Sequence, residues 1–369
     1  MRNELIFVAL AASLAGAQAS FAQTLSRKID LPSDSPVTLV SADWGDSSAS
    51  ARGGAFLVDV HASLSLRNSS QRRIRAITLA VLAQEVTPGG KGSVSIPSLD
   101  VAPGETFPVR IDLPLLRPLG AGANGPAVEV KLDGILFDDL SFYGSDNLHS
   151  RRTMTVWELE ARRDRQYFKK LLDQAGGKAL LQAAIIDSLT RQADRPQPGV
   201  QMVRGRVTNA DPEHELKFAF LQFPDAPIEP TSGMAQVAGN EAHAPRVQVH
   251  NRSDRPVRHF EMGWIVKDQQ GREFLAASLP ADVSLAPGRS GQVVEDAAVR
   301  FPERTSIQSM TGFVSSVEFA DGSYWLPSRS SLNDPKLSRV ISPSPEEQRL
   351  TQIYLKKGLN GLVEELKKF

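Results

Sequence analysis

"NRSDRPVRHFEMGWIVKD" (residues 251–268) has an earlier echo in "NSSQRRIRAITLAVLAQE" (68–85). Each opens with Asn-x-Ser, passes through a basic residue and then alternates apolar with polar. At an offset of 183, Asn68 falls on Asn251, Leu64 and Leu66 on Val247 and Val249, and Ile74 on Val257. Ile77, Leu79, Val81 and Ala83 then fall on Phe260, Met262, Trp264 and Val266. An apolar residue at every second position means a strand with one face buried and the other wet.

The correspondence continues outward. "LDVAPGE" (99–105) matches "VSLAPGR" (283–289), where Ala-Pro-Gly makes a tight turn after an apolar strand end. "FDDLSFY" (137–143) matches "FADGSYW" (319–325), a turn leading into an aromatic pair. The offset drifts from 183 to 184 to 182, as loop insertions and deletions produce. Three matched blocks in one order predict a tandem duplication of a single domain.

In the first copy, strands are predicted at "PVTLVSA" (36–42), "AFLVDVHASLSL" (55–66), "RIRAITLAVLA" (73–83) and "GSVSI" (92–96). Three more are predicted at "TFPVRIDL" (106–113), "AVEVKL" (127–132) and "LSFYG" (140–144). Short strands punctuated by turns, with no helix between them, close most simply as a β-sandwich. The expected fold class is therefore mainly β: two tandem immunoglobulin-like β-sandwich domains, each followed by an amphipathic helical segment. The expected boundaries are a signal peptide at 1–22, sandwiches at 23–150 and 196–330, a helical connector at 151–195 and a tail and helix at 331–369.

The run "VQVHNRSDRPVRHFEMGWIVKDQQGREF" (247–274), with "VSLAPGRS" (283–290), resembles bacterial extracytoplasmic immunoglobulin-like modules of the FxLYD or CARDB sort. The likeness covers residues 246–294 and, more weakly, 58–111; the literal FxLYD word is absent. The resemblance implies a secreted binding or spacer module, with no catalytic residues to carry over.

Composition narrows the class. The 369 residues suffice for two domains with cores of their own. Lys plus Arg equals Asp plus Glu, 42 against 42, so no net field gathers nucleic acid. Arg2 followed by "LIFVALAASLAGA" (5–17) and the small residues "AQA" and "SFA" reads as a secretory signal cleaved before Gln23. The apolar run is shorter than the roughly 20 residues of a membrane span, and no later stretch approaches that length. A soluble periplasmic or secreted mature chain is expected. Cysteine is absent from the sequence, which removes disulfides, thiolate nucleophiles, Cys-ligated metal and Cys lipidation.

Two helical segments follow the sandwiches. "TVWELEARRDRQYFKKLLDQAGGKALLQAAIIDSLTRQ" (155–192) opens with Thr155-x-x-Glu158, a capping box, and Gly176-Gly177 is expected to split it. "RPQPG" (195–199) reads as a linker. Ser344-Pro345-Glu346-Glu347 supplies a second N-cap, followed by an apolar stripe through Leu350, Leu359, Leu362 and Leu366 that Gly358 and Gly361 weaken. Each stripe either completes a core or stays open as a docking face.

No catalytic constellation emerges. The six histidines show no zinc spacing, and His61, His250 and His259 fall on the outward phase of their strands. "GRSG" (288–291) is not a nucleophile elbow, and "GGKGS" (89–93) lacks the order of a phosphate loop. Asp138-Asp139 reads as a turn. Arg162, Arg163, Arg165, Lys169 and Lys170 alternate with acids, as a solvated helix face does. The expectation is a non-enzymatic envelope protein without cofactor or metal, binding or spacing protein partners. The alternative is a module for carbohydrate or surface polymer. Candidate partner-binding residues are the aromatics Trp44, Tyr143, Tyr324 and Trp325 and the helix residues Leu359, Leu362 and Leu366.

Overall fold

The computed structural model describes residues 26–85, 88–118, 127–193, 201–203, 212–294, 298–301 and 305–369. The signal stretch 1–22 and the linker 195–199 lie outside them. The chain is mainly β, with 47% strand and a few helices. The first half carries β1 (Arg27–Asp30), β2 (Val37–Asp43), β3 (Ser48–Arg52), β4 (Ala55–Asn68) and β5 (Ile74–Leu82). β6 (Lys91–Ile96), β7 (Thr106–Pro118), β8 (Val128–Phe137) and β9 (Phe142–Tyr143) follow. Then come α1 (Ser150–Leu172) and α2 (Gly177–Ala193). The second half carries β10 (Gln201–Val203), β11 (His214–Lys217), β12 (Ala219–Phe220), β13 (Ile228–Ala238), β14 (Glu241–Asn251) and β15 (Val257–Asp268). β16 (Glu273–Leu285), β17 (Ser290–Val294), β18 (Ala298–Arg300), β19 (Ile307–Phe319) and β20 (Tyr324–Trp325) complete it. α3 (Arg329–Leu332), α4 (Pro335–Val340) and α5 (Pro345–Leu366) end the chain's described part.

Each half holds two sheets. In the first, one runs β1-β8-β5-β6 with β9 on β8, and the other joins β2, β3 and β7 to β4. In the second, one runs β12-β19-β15-β16 with β20 on β19, and the other runs β10-β18-β14-β13-β11 with β17 on β14. In both halves a short early strand lies parallel to a long late one, β1 on β8 and β12 on β19. All seven strands predicted for the first half are present. β1 and β3 were not expected: "RKID" and "SASAR" are too short or too small-chained to show an apolar alternation.

By packing, the chain divides into two compact units. The first holds the described residues up to Gln71 with Thr78–Val94 and Pro103–Asp133; the second holds Arg72–Ile77, Ser95–Ala102 and Gly134–Phe369. In the first unit β4 buries Val58, Val60, Ala62, Leu64 and Leu66, while His61 and Ser63 face water. It pairs along its length with β7, whose Phe107, Val109 and Ile111 are buried on the same alternation. In the second unit the facing sheets share one apolar core, with Val247 and Val249 on one side and Phe260, Met262, Trp264 and Val266 on the other. Burying side chains of this kind contributes about 1.5–3 kcal/mol each.

The two Asn-x-Ser turns are built with the same bonds. Asn68 and Asn251 are fully buried, and each Oδ1 accepts from the backbone N–H and hydroxyl of the Ser two residues on. Each Asn carbonyl accepts from the Gly of the Ala-Pro-Gly turn, Gly104 at 2.8 Å and Gly288 at 2.9 Å. The Asp139 and Asp321 carboxylates each cap the N–H of Ser141 or Ser323. The Arg72 guanidinium covers Phe137 at 3.8 Å, and that of Arg255 covers Phe319 at 3.9 Å.

Four expectations need correction. α1 starts at Ser150, not at Thr155: the Arg151 N–H donates to Asp146 Oδ1 at 2.9 Å, and Thr155, inside the helix, donates back to the Arg151 carbonyl. His259 is not on the wet face. A bulge between Val257 and His259 shifts the phase of β15 and leaves the ring 1% exposed. The basic run on α1 is a solvated face only in part: Lys169 and Lys170 are exposed, but Arg165 is buried between Glu158 at 2.8 Å and Glu346 at 3.4 Å. Leu362 and Leu366 do not form an open stripe. They are buried with Phe168, Leu181, Ile185 and Leu350 where α1, α2 and α5 pack on one another. The split at Gly176 and the Ser344 cap are as expected; of the two glycines expected to weaken α5, Gly358 leaves helical geometry and Gly361 stays within the helix.

Candidate functional site

α1 meets both the β8 and the β19 strands and the other long helices of the second unit. With no Gly or Pro from Ser150 to Leu172 it can run unbroken, and it buries side chains on several faces. Met154 packs on Ala76 and Leu136, beside Phe142 and Trp157. On another side Arg152 reaches Glu318 at 2.7 Å and Asp282 at 3.3 Å. Leu136 and Glu318 are aligned positions at the offset of 182, and both meet α1, one by apolar contact and one by charge. Arg75 and Arg258, aligned at 183, also reach carboxylates at this helix, Glu158 at 3.9 Å and Glu318.

Arg151, Thr155 and Leu159, spaced four apart along α1, line a pocket of about 500 Å³. Across from them lie Leu140, Arg258, Glu318 and the β19–β20 turn with Asp321, Ser323 and Tyr324. Leu140 holds φ 65°, a left-handed conformation costly for a bulky side chain, and its aligned partner is Gly322 with φ 80°. Glu318, 3% exposed, sits at the floor. Burial alone would raise its carboxyl, but Arg152, Arg258 and the Tyr324 hydroxyl outweigh it and hold it below its ordinary value. Burial, and then Glu318, push the Tyr324 hydroxyl far up. Both shifts keep the pair in its ordinary state near neutral pH, Glu318 charged and Tyr324 protonated.

Next to it His259 donates or accepts through Nδ1 with Asp282 at 2.8 Å, and its Nε2 is buried without a hydrogen bond. One carboxyl does move toward neutrality. Glu160 is pushed up to about 7 by burial, with Asp164 and Glu261 adding to the effect against Arg163. It lines a separate cavity of about 210 Å³ with Arg163, Arg191, Arg329 and Glu347. Those arginines are committed: Arg329 to Glu347 at 2.6 Å, Arg163 to Asp164 at 3.1 Å and Arg191 to Asp187 at 3.0 Å. Ser344, on the same cavity, gives its hydroxyl to Asp164 at 2.5 Å. Among the described residues no group of three His, Asp or Glu side chains could hold a metal ion. No described helix is long and apolar enough to cross a membrane.

The sequence-derived candidates do not converge. Trp44 belongs to the first unit, half-buried under the Arg27 guanidinium at 5.3 Å. Tyr143 pairs with Ile135 in the two-residue β9, and Tyr324 occupies the pocket. Trp325 donates Nε1–H to Asp225 at 3.2 Å and packs on Phe223. Leu359 is half-buried at the edge of the helical core, whose interior takes Leu362 and Leu366. Sequence reasoning missed Arg152, Arg258, Glu318 and Asp282. One signal was present: Glu318 is an acid where the aligned copy has Leu136.

No protein-family model matches this sequence, and no curated protein does. Among solved structures, a β-glucosidase from Kluyveromyces marxianus matches 73% of this chain and 45% of its own, at 9% identity and a TM-score of 0.18. Red sea bream transglutaminase matches 76% of this chain and 31% of its own, at 9% identity and 0.13. The chain spans less than half the length of either. Likeness at that level says nothing about activity.

Proposed function

We propose that this chain is an exported, non-catalytic binding and spacing protein of the bacterial cell envelope, made of two immunoglobulin-like modules copied head to tail. The observation that carries the reading is the equivalence of the two Asn turns, bond for bond, at the offset seen in sequence. The aligned positions Leu136 and Glu318 differ in chemistry, and both meet α1. Export rests on the N-terminal signal pattern. The pocket between α1 and the β19–β20 turn is the binding site in this reading, with envelope protein as the partner. A second reading, retention on carbohydrate or surface polymer, is favoured by the half-buried Tyr324 ring among Arg151, Asp321 and Ser323.

Cell fractionation with intact-mass measurement tests export. A periplasmic or secreted chain beginning at Gln23 is expected, and a cytoplasmic chain that keeps Met1 overturns it. Capture from envelope extracts with wild type, Arg151→Ala and Tyr324→Ala tests the site. A stoichiometric protein partner lost in both variants supports the first reading, and retention on cell-wall polymer lost in Tyr324→Ala supports the second. An enzymatic activity that survives purification and disappears in Glu160→Gln overturns both.

A further inference from the structure

We propose that the outer face of the helical cluster, centred on Lys178 of α2, seats the protein on an anionic lipid surface. Lys169, Lys170, Lys178, Lys356 and Lys357 are all exposed and make no ion pair among the described residues. Five arginines of the same helices behave differently: Arg162, Arg163, Arg165, Arg191 and Arg349 are each paired to a carboxylate. Two of these arginines also reach α5 from its neighbours, Arg165 to Glu346 at 3.4 Å and Arg191 to Glu347 at 3.8 Å, whereas the five lysines face out.

The lysines border apolar surface. A groove of about 410 Å³ has Leu172, Val363 and Leu366 at its base and Lys169, Lys178 and Lys367 on its rim. Asp173 and Glu364 also border it, and Glu364 is taken by Lys367 at 2.8 Å. From Lys178 the α2 stripe continues in four-residue steps through Gln182 to Ile186. Gln182 donates to the Tyr354 hydroxyl at 3.2 Å, which places this stripe beside the α5 stretch that continues through Leu355 to Lys356 and Lys357. Ile186 and Leu355 are 47% and 59% exposed.

Charge names the occupant. Residues 166–193 and 351–369 hold eight Lys or Arg against four Asp or Glu, an excess of four in a chain whose totals balance at 42 and 42. Long lysine stems can lie along apolar surface while their ammonium groups reach headgroup phosphates. An anionic bilayer accepts such charges together with loosely spaced Leu and Ile side chains without demanding matched shape.

The test is flotation of the full chain with vesicles of phosphatidylcholine alone or with about 30% phosphatidylglycerol, a content that gives an anionic surface. Wild type is expected to bind the anionic vesicles in excess, and the excess should fall as salt is raised. The triple variant Lys169→Gln, Lys178→Gln, Lys357→Gln should lower that excess about a hundredfold, from about fivefold per lysine. Wild type and variant share the apolar stretch at 5–17, so their difference reports the lysines. Unchanged circular-dichroism melting confirms that the variant folds. Equal binding to both vesicles, or an excess that survives the triple variant, overturns the proposal and leaves the face to solvent or to an acidic protein.

Discussion

At the scale of single residues, position in a turn was legible and position across a sheet was not. Asn68 and Asn251 announced themselves because an Asn-x-Ser turn closes on its own backbone within two residues. Asn251 also donates Nδ2–H to the carbonyls of Arg255 at 2.9 Å and Leu285 at 3.0 Å, so its truncation strands buried groups on both sides. Asn251→Ala is expected to cost about 2–3 kcal/mol, and Asn68→Ala a similar amount, read as lower urea midpoints with unchanged slopes. A cost below about 0.5 kcal/mol at either site would show that the turn tolerates water in place of the amide. His259 was misread because a bulge, which depends on partner strands, reversed its phase. Glu160 yields the pH prediction. Its folded value of about 7 lies above the ordinary 4.5, so the folded state holds the extra proton between those values. Stability is therefore full below about 4.5 and declines as pH rises through about 7. Glu160→Gln should flatten this decline, gaining about 1–2 kcal/mol at alkaline pH and nothing in acid, after allowance for partial exposure of the carboxyl. Parallel denaturation curves for wild type and variant at acid and alkaline pH decide it.

At the scale of elements, the strands followed their alternation and the helices followed their stripes, but one helix start was misassigned. Thr155-x-x-Glu158 has the spacing of a capping box, yet both residues lie within α1. Glu158 is instead 3% exposed and accepts from Arg162 at 3.0 Å and Arg165 at 2.8 Å. The N-cap residue, His149, offers no side-chain cap, and the Arg151 N–H is taken instead by Asp146, five residues earlier. The motif failed because its local pattern does not distinguish a first turn from a second one when the preceding residues, "SRRTM", also accept helix. The two assignments differ in a measurable way. Asp146→Ala should cost about 1 kcal/mol, the usual value of a lost N-cap, whereas Thr155→Ala should cost only a few tenths. Thermal melts of the two variants rank them, and the opposite order would restore the capping box. α5 shows the reverse situation. Ser344 caps it through the Glu347 N–H at 3.1 Å, and Gly358, with φ 69° and ψ −173°, breaks it. The sequence marked Gly358 and Gly361 alike as weak points, and only Gly358 takes a backbone conformation that suits glycine alone. It lets Leu350 before it and Leu362 and Leu366 beyond it enter one core.

For the molecule as a whole, sequence periodicity told which faces are buried but not against what. A stripe at three- and four-residue steps is the same whether it covers a sheet or another helix. The union of α1, α2 and α5 was therefore invisible, and so were the charges that lock it. Asp164 on α1 takes the Ser344 hydroxyl and Arg329 at 3.2 Å, partners roughly 170 residues away in sequence, and Arg165 reaches Glu346 at 3.4 Å. Local neighbours of either sign made these residues look like a wet face. The consequence is that α5 should be indispensable to α1 and α2. Leu350, Leu362, Val363 and Leu366 together contribute roughly 6–12 kcal/mol of apolar burial, comparable with the 5–15 kcal/mol net stability of a typical domain. Deleting residues 344–369 would also take Ser344 from Asp164, Glu346 from Arg165 and Glu347 from Arg329, leaving charged groups short of partners at several kcal/mol where they stay buried. The truncated chain is expected to lose protection across α1 and α2, with trypsin cutting at Arg162, Lys169 and Lys170 under conditions where the full chain resists. Because the missing part is one contiguous segment, a synthetic peptide of residues 344–369 added in trans should restore resistance. If the truncated chain keeps full protection without the peptide, then the helical core does not depend on α5, and α1 is held by Met154, Arg152 and Glu158 alone.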